Sequence, residues 1–133
     1  MAEFTCTVVT PETTVLNEKV SSLVLPLFDG QAGVLNNHSS FIGRLTYGEL
    51  RFTVDGQEKS YYIDGGFAQV DNNVATILTG RVLKIDELDS QKAKEQLEEA
   101  FGRKANSPEL MELRDREMAQ ARAQIRLVEK VGT

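Results

Sequence analysis

Leu50-Arg51-Phe52-Thr53-Val54-Asp55-Gly56-Gln57-Glu58-Lys59-Ser60-Tyr61-Tyr62-Ile63 decides the class of the fold. Leu50, Phe52 and Val54 alternate with Arg51 and Thr53, the period of a strand with one buried face. Asp55-Gly56 interrupts them, and the apolar pattern resumes through Tyr61, Tyr62 and Ile63. Asp-Gly between two such runs signals a hairpin, because both turn positions tolerate positive φ.

Outward from this hairpin the same grammar repeats. Phe67 to Val70, Asp71-Asn72-Asn73 and Val74 to Leu78 read as a second hairpin. Towards the N-terminus, Phe4 to Val8 alternates with period two before a turn at Pro11-Glu12-Thr13. Val20 to Leu27 is a nearly continuous apolar run closed by Asp29-Gly30. Short strands at this spacing predict an antiparallel β-sandwich or flattened barrel over residues 1–84.

The composition then changes. Eight of the nine aromatic residues and eight of the ten glycines precede residue 85, and the remainder is mostly Ala, Glu, Lys, Arg, Gln and Leu. The boundary lies near Lys84–Asp89, and residues 85–133 form the second domain, an antiparallel two-helix hairpin. Ala93, Leu97, Ala100 and Phe101 repeat at helical spacing behind Asp86-Glu87, with Asp89 and Ser90 as possible caps. Asn106 suits a left-handed helix end, Ser107 an N-cap and Pro108 a first helical turn. Met111, Met118 and Ile125, with Ala121 and Val128 between them, make one stripe on a second helix from Ser107 to Lys130.

The stripe is poor in large apolar residues, and Arg114 interrupts it. Burying one Leu or Met contributes about 1.5–3 kcal/mol, much of it cancelled by ordering the chain. The expectation is a hairpin only weakly committed to one packing; the alternative is a rigid two-helix cap on the sandwich.

The totals exclude several functions. In 133 residues there are 15 Lys and Arg against 20 Asp and Glu, a net charge of −5. That balance argues against nucleic acid, which needs clustered cations. The single cysteine, Cys6, cannot form an internal disulfide, and its place in an alternating run predicts a buried thiol. No stretch approaches the length of a membrane span and no leader pattern opens the chain, so it is expected to be soluble and uncleaved, meeting a membrane only through a partner.

The one histidine, His38, lies in the loop of residues 27–41. A general base or metal ligand needs partners, and the chain has no second histidine and only one thiol. His38 is therefore expected to serve its own loop or a contact surface; an enzyme built on a cupin-like sandwich would need clustered ligands, and no cofactor or metal is expected. Gly30, Gly33 and Gly43 lack the spacing of a dinucleotide fingerprint, and Gly65-Gly66 is not followed by the residues of a phosphate loop. Positive φ or close backbone approach explains them instead. Arg114, Arg116, Arg122 and Arg126 are interleaved with Glu112, Asp115, Glu117 and Glu129, a solvated face. Arg122 and Arg126, one turn apart with no acid between, are the exception: two guanidiniums on one face can hold a phosphate or a partner's carboxylates.

Asp29-Gly30-Gln31-Ala32-Gly33-Val34-Leu35 leading to Asn37-His38, then Gly65-Gly66-Phe67-Ala68-Gln69-Val70, then Ile85-Asp86 and a two-helix tail, form an ordered set spanning the chain. This set resembles the epsilon-subunit family of bacterial and chloroplast F-type ATP synthases. The resemblance implies a non-catalytic rotor-stalk subunit whose sandwich binds the gamma subunit and rests on the c-ring. It implies a hairpin that either folds down or extends along gamma toward the alpha and beta subunits, where it inhibits ATP hydrolysis. By that resemblance Gln31 meets the c-ring, His38 faces gamma, and Arg114, Arg122 and Arg126 belong to the partner-binding hairpin. It places the chain peripherally on the cytoplasmic face of a bacterial inner membrane, or on the stromal face of the thylakoid.

Two departures bear on function. Asn37-His38-Ser39-Ser40 stands where the family usually has Gly-His-Ala-Pro. Asn tolerates the left-handed region, but the missing proline leaves the following backbone freer. Some bacterial members bind ATP on the hairpin through Ile-Asp-x-x-Arg-Ala and two arginines of the second helix. Here Asp86, Arg122 and Arg126 match, but Asp89-Ser90 replaces Arg-Ala, and an acid near phosphate is unfavourable in sign. A small nucleotide-sensing or protein-interaction module that stands alone is the alternative reading.

Overall fold

The structure is a computed structural model that describes residues 3–132. It divides into two compact units, with the break between Lys84 and Ile85.

The first unit contains strands β1 (Phe4–Val9), β2 (Thr14–Val20), β3 (Ser22–Leu27), β4 (Gly30–Val34), β5 (Phe41–Val54), β6 (Gln57–Asp71), β7 (Val74–Leu78) and β8 (Val82–Lys84). They form one sheet in the order β2-β1-β7-β6-β5-β3-β4, with β8 added to β6. The hydrogen-bonded path encloses a core of Phe4, Cys6, Leu23, Leu25, Leu50, Phe52, Ile63 and Ile77, all essentially without solvent exposure. The alternation read from residues 50–54 is the inward parity of the second half of β5, where Leu50 and Phe52 are buried and Arg51 and Thr53 half-buried; in the first half the parity is inverted, with Leu45 buried and Ile42 and Arg44 exposed. The sheet thus has the sandwich character read from the sequence.

Both hairpin turns have the expected backbone. Asp55 and Gly56 take φ of 51° and 79°, and Asn72 and Asn73 take 50° and 59°. Two consecutive positive φ values match the right-handed twist of the flanking strands. Between these turns β6 is one strand of 15 residues, not two short ones. Its first half pairs with β8 through Tyr61, Tyr62 and Ile63, and its second half pairs with β7 from Phe67 to Asp71. Gly65 and Gly66 lie at the change of partner with φ of 71° and 111°. A Cβ on Gly66 would overlap the Leu78 carbonyl, so this position serves close backbone approach.

Three features depart from the expectation. The β1–β7 ladder is parallel, from Thr5 opposite Val74 to Val9 opposite Leu78. Parallel neighbours require a long crossover, and β2 through β6 supply it. The apolar run Val20–Leu27 is divided: β2 ends at Val20, Ser21 donates its N–H to Thr53 O at 2.9 Å, and β3 begins at Ser22. The stretch taken as a loop over residues 27–41 contains β4, which pairs with β3 from Leu27 opposite Gly30 to Leu23 opposite Val34. Two glycines weaken its strand signal, yet the backbone ladder needs no side chain.

The second unit opens with a 3-10 turn, Ile85–Glu87, followed by α1 (Ser90–Gly102) and α2 (Pro108–Gly132). Asp89 caps α1, its Oδ1 accepting the Gln91 and Lys92 N–H groups at 2.9 and 3.2 Å; Ser90 is the first helical residue. Ser107 caps α2, its hydroxyl accepting the Leu110 N–H at 3.2 Å, with Pro108 first in the helix. Asn106 is not left-handed. The helix ends four residues earlier, at Gly102, where Arg103 leaves in an extended conformation. The helices hold together through buried Ala93, Ala100 and Ala121 and through Gln96 Nε2, which donates to Glu117 O at 3.0 Å. The stripe is covered unevenly: Met118, Ile125 and Val128 are half-buried and Met111 is exposed. At about 1.5 Å per residue, a 13-residue helix cannot cover one of 25.

Candidate functional site

His38 is exposed, in the connection between β4 and β5. Its backbone N–H donates to Leu35 O at 3.1 Å, closing a tight turn in which Asn37 takes φ of 64°. Asn therefore supplies the left-handed residue that glycine would otherwise provide. The His38 ring stands edge-on to Phe41 at 5.3 Å, and its Nδ1 lies 2.7 Å from Ser39 O. Among the described residues no acidic, thiol or hydroxyl side chain engages the ring. Gln31 is exposed on β4, opposite Pro26. These two residues thus lie seven positions apart on one edge segment, both open to solvent.

Sequence reasoning missed a larger feature, the apolar outer face of β5, β6 and β7. Phe67 stands opposite Arg44 on β5 and Leu78 on β7, and Ile42 lies one outward position from Arg44. Ile42 is 74% exposed, Phe67 56% and Leu78 51%. The signal was present as apolar residues at the outward parity: in Val74-Ala75-Thr76-Ile77-Leu78 the inward residues are Ala75 and Ile77, yet Val74 and Leu78 are apolar too. Phe28, between β3 and β4, extends the face; its N–H donates to Arg44 O at 2.8 Å, and the Arg44 guanidinium lies 4.9 Å over its ring.

A cleft of about 450 Å³ opens between Phe28, Arg44, Tyr47, Asp64 and Phe67. Asp64 cannot act there as a free base. Arg81 Nε lies 3.0 Å from its Oδ2, and the Tyr62 O–H donates to its Oδ1. Beyond Leu78 the face continues as a shallow apolar groove along Val9, Pro11 and Thr79. The Thr79 hydroxyl is buried without a hydrogen-bond partner among the described residues. The surface can bind apolar groups and, at Arg44, an anion. Cys6 is fully buried, and its thiol is pushed from 9.0 to about 12 by loss of solvent and secondarily by Glu18. Among the described residues no three His, Cys, Asp or Glu gather as a metal ion would require.

On the hairpin, Arg122 and Arg126 are exposed on α2 with no ion pair or hydrogen bond to a described residue. Arg114 is half-buried, its Nε 3.5 Å from Asp115 Oδ1. Asp86 is exposed in the 3-10 turn, and neither a hydrogen bond nor an ion pair joins it to Arg122 or Arg126. Asp89, where the ATP motif has arginine, is occupied in capping α1. No helix among the described residues is long and apolar enough to cross a membrane.

Residues 3–85 match the family model for the beta-sandwich domain of the ATP synthase delta/epsilon chain. An ATP synthase epsilon chain of Rhodopirellula baltica is 44% identical over 91% of this chain and 94% of its own length. The chloroplastic epsilon chain of Daucus carota is 42% identical over 74% of this chain and 75% of its own. Among solved structures, a chain of the Euglena gracilis mitochondrial ATP synthase assembly of OSCP, F1 and c-ring superposes with a TM-score of 0.75 at 24% identity. It covers 99% of this chain and 81% of that one. A chain of the Tetrahymena thermophila central stalk and c-ring gives 0.70 at 17% identity, covering 97% and 96%.

Proposed function

The chain belongs to the family of ATP synthase epsilon chains, and from that premise we propose that it is the non-catalytic rotor-stalk subunit joining gamma to the c-ring. Its sandwich transmits the rotation that couples proton flow to ATP synthesis. The observation that carries this reading is the uncovered apolar face of Ile42, Phe67 and Leu78. Monomeric proteins seldom leave such side chains contiguous, because each contributes more when covered by a partner. Gamma is the occupant, with His38 at the rim of that contact and Gln31 meeting the c-ring from the β4 edge.

The hairpin is the regulatory part. Extended along gamma, it carries Arg114, Arg122 and Arg126 towards carboxylates of the alpha and beta subunits and restrains hydrolysis. ATP held by Asp86, Arg122 and Arg126 is the weaker use of the same arginines, since Asp89 adds negative charge where the phosphates would lie. The subunit lies peripherally on the cytoplasmic or stromal side and meets the membrane only through the complex.

Reconstitution of the synthase with and without the chain tests this. Loss of coupling and of gamma to c-ring assembly in its absence is the expected result; unchanged coupling would sink the proposal. Truncation after Asn106 should raise ATPase activity and leave gamma binding intact, whereas unchanged hydrolysis would confine the role to coupling.

A further inference from the structure

The loop that carries His38 is tied to the β6–β7 turn 36 residues away, and the ties are side chains. The Asn37 N–H donates to Asn73 Oδ1 at 2.7 Å, and Asn73 Nδ2 donates back to Asn37 Oδ1 at 3.1 Å. Ser40 Oγ donates to Asp71 Oδ1 at 2.7 Å. Asn73 is anchored in turn, its carbonyl accepting the Thr5 N–H at 3.0 Å. His38 lies between the two ties. Its Nδ1 is 2.7 Å from Ser39 O, and a carbonyl only accepts, so Nδ1 carries the hydrogen. In the neutral ring, Nε2 is then an acceptor left for a partner.

We infer that Asn37 and Asn73 are positioning residues for the partner interface: they hold the loop of residues 36–40 so that His38 offers Nε2 to a hydrogen-bond donor on gamma. This rests on gamma being the partner, as proposed above. The need is local. Ser39-Ser40 leaves φ free where a proline would restrict it, and every conformer that docking must order weakens affinity. The reciprocal asparagine pair removes that freedom beforehand. Exposed hydrogen bonds contribute little to folding, so the effect belongs to docking rather than to global stability.

Asn73→Gly tests the role cleanly, because glycine adopts φ of 59° without strain while losing both side-chain bonds. With the full-length chain and gamma from the same synthase, calorimetric affinity should fall about tenfold. Exchange of the Asn37 amide should accelerate, and the urea midpoint should stay unchanged. In a His38→Ala background, Asn73→Gly should weaken binding no further. Asn73→Asp still accepts the Asn37 N–H but cannot donate, and should recover part of the affinity. Unchanged affinity in Asn73→Gly, or losses that add in the double variant, would overturn the positioning role. If the parent chain itself fails to bind gamma, the proposed function falls and takes this inference with it, a failure distinguishable from the others.

Discussion

The two units keep their shapes by different means. In the sandwich the largest fully buried side chains are Tyr62, Phe4, Phe52, Leu23 and Leu25, on strands joined by backbone ladders. In the hairpin the most deeply buried residues are alanines at 93, 100, 121 and 123, while Phe101 is 72% exposed and Met111 46%. Large side chains that interdigitate specify one packing, and their removal leaves cavities; alanines permit close approach but specify little. The difference suits the two roles proposed above, a sandwich that transmits torque and a hairpin whose position partners bias.

The strongest challenge to that contrast is Phe52→Ala. Phe52 is essentially unexposed and stacks on Tyr61 with ring centroids 5.7 Å apart. Its loss should destabilise the sandwich by about 3–5 kcal/mol, read from urea unfolding; a loss near 1 kcal/mol would mean that the core is no more specific than the hairpin. Next comes Phe67→Asp on the outer face, which should lower gamma affinity by about 10- to 100-fold, roughly 1.4–2.7 kcal/mol, with the urea midpoint little changed. Equal losses in both measurements would show that the face is structural.

A smaller effect is expected in the hairpin. Arg103 Nη1 lies 2.8 Å from Glu117 Oε2 and Nη2 3.4 Å from Glu99 Oε1, with all three groups partly solvated. Arg103→Ala should cost about 1 kcal/mol or less of helical stability, followed by circular dichroism on heating. A much larger loss would show that the two helices are firmly held in one packing.

Near neutrality the smallest effect is that of Cys6, which should be inert to thiol reagents in the folded chain and react once unfolded. Its thiol is pushed up to about 12, chiefly by desolvation. Between 9.0 and about 12 the unfolded chain loses the proton while the folded chain keeps it. Stability from this group is therefore intact below 9.0 and declines as pH rises towards 12. Thiol labelling and urea midpoints across that range read both parts.

Much of this was legible in one dimension, because its determinants are local. Asp55-Gly56 and Asn72-Asn73 mark their turns by the backbone they tolerate, Asp89 and Ser107 mark helix starts by the acceptors they offer, and Leu50, Phe52 and Val54 mark an inward face by period alone. Asn106 misled because its tolerance of the left-handed region is permission, not instruction, and the helix had already ended at Gly102. Strand β4 was hidden because Gly30 and Gly33 carry no side-chain signal, although β3 provides the hydrogen bonds.

The amino-acid order by itself determined the two hairpin turns, the helix starts, the inward parity of residues 50–54 and the family, all of which depend on residues near one another or on their ordered spacing. Tertiary structure alone decided the parallel meeting of β1 with β7, the gathering of Ile42, Phe67 and Leu78 on one uncovered face, and the pairing of Asn37 with Asn73. These relations join residues far apart in the chain. Each depends on which strands become neighbours, and that choice is made by the collective burial of the core rather than by any local preference.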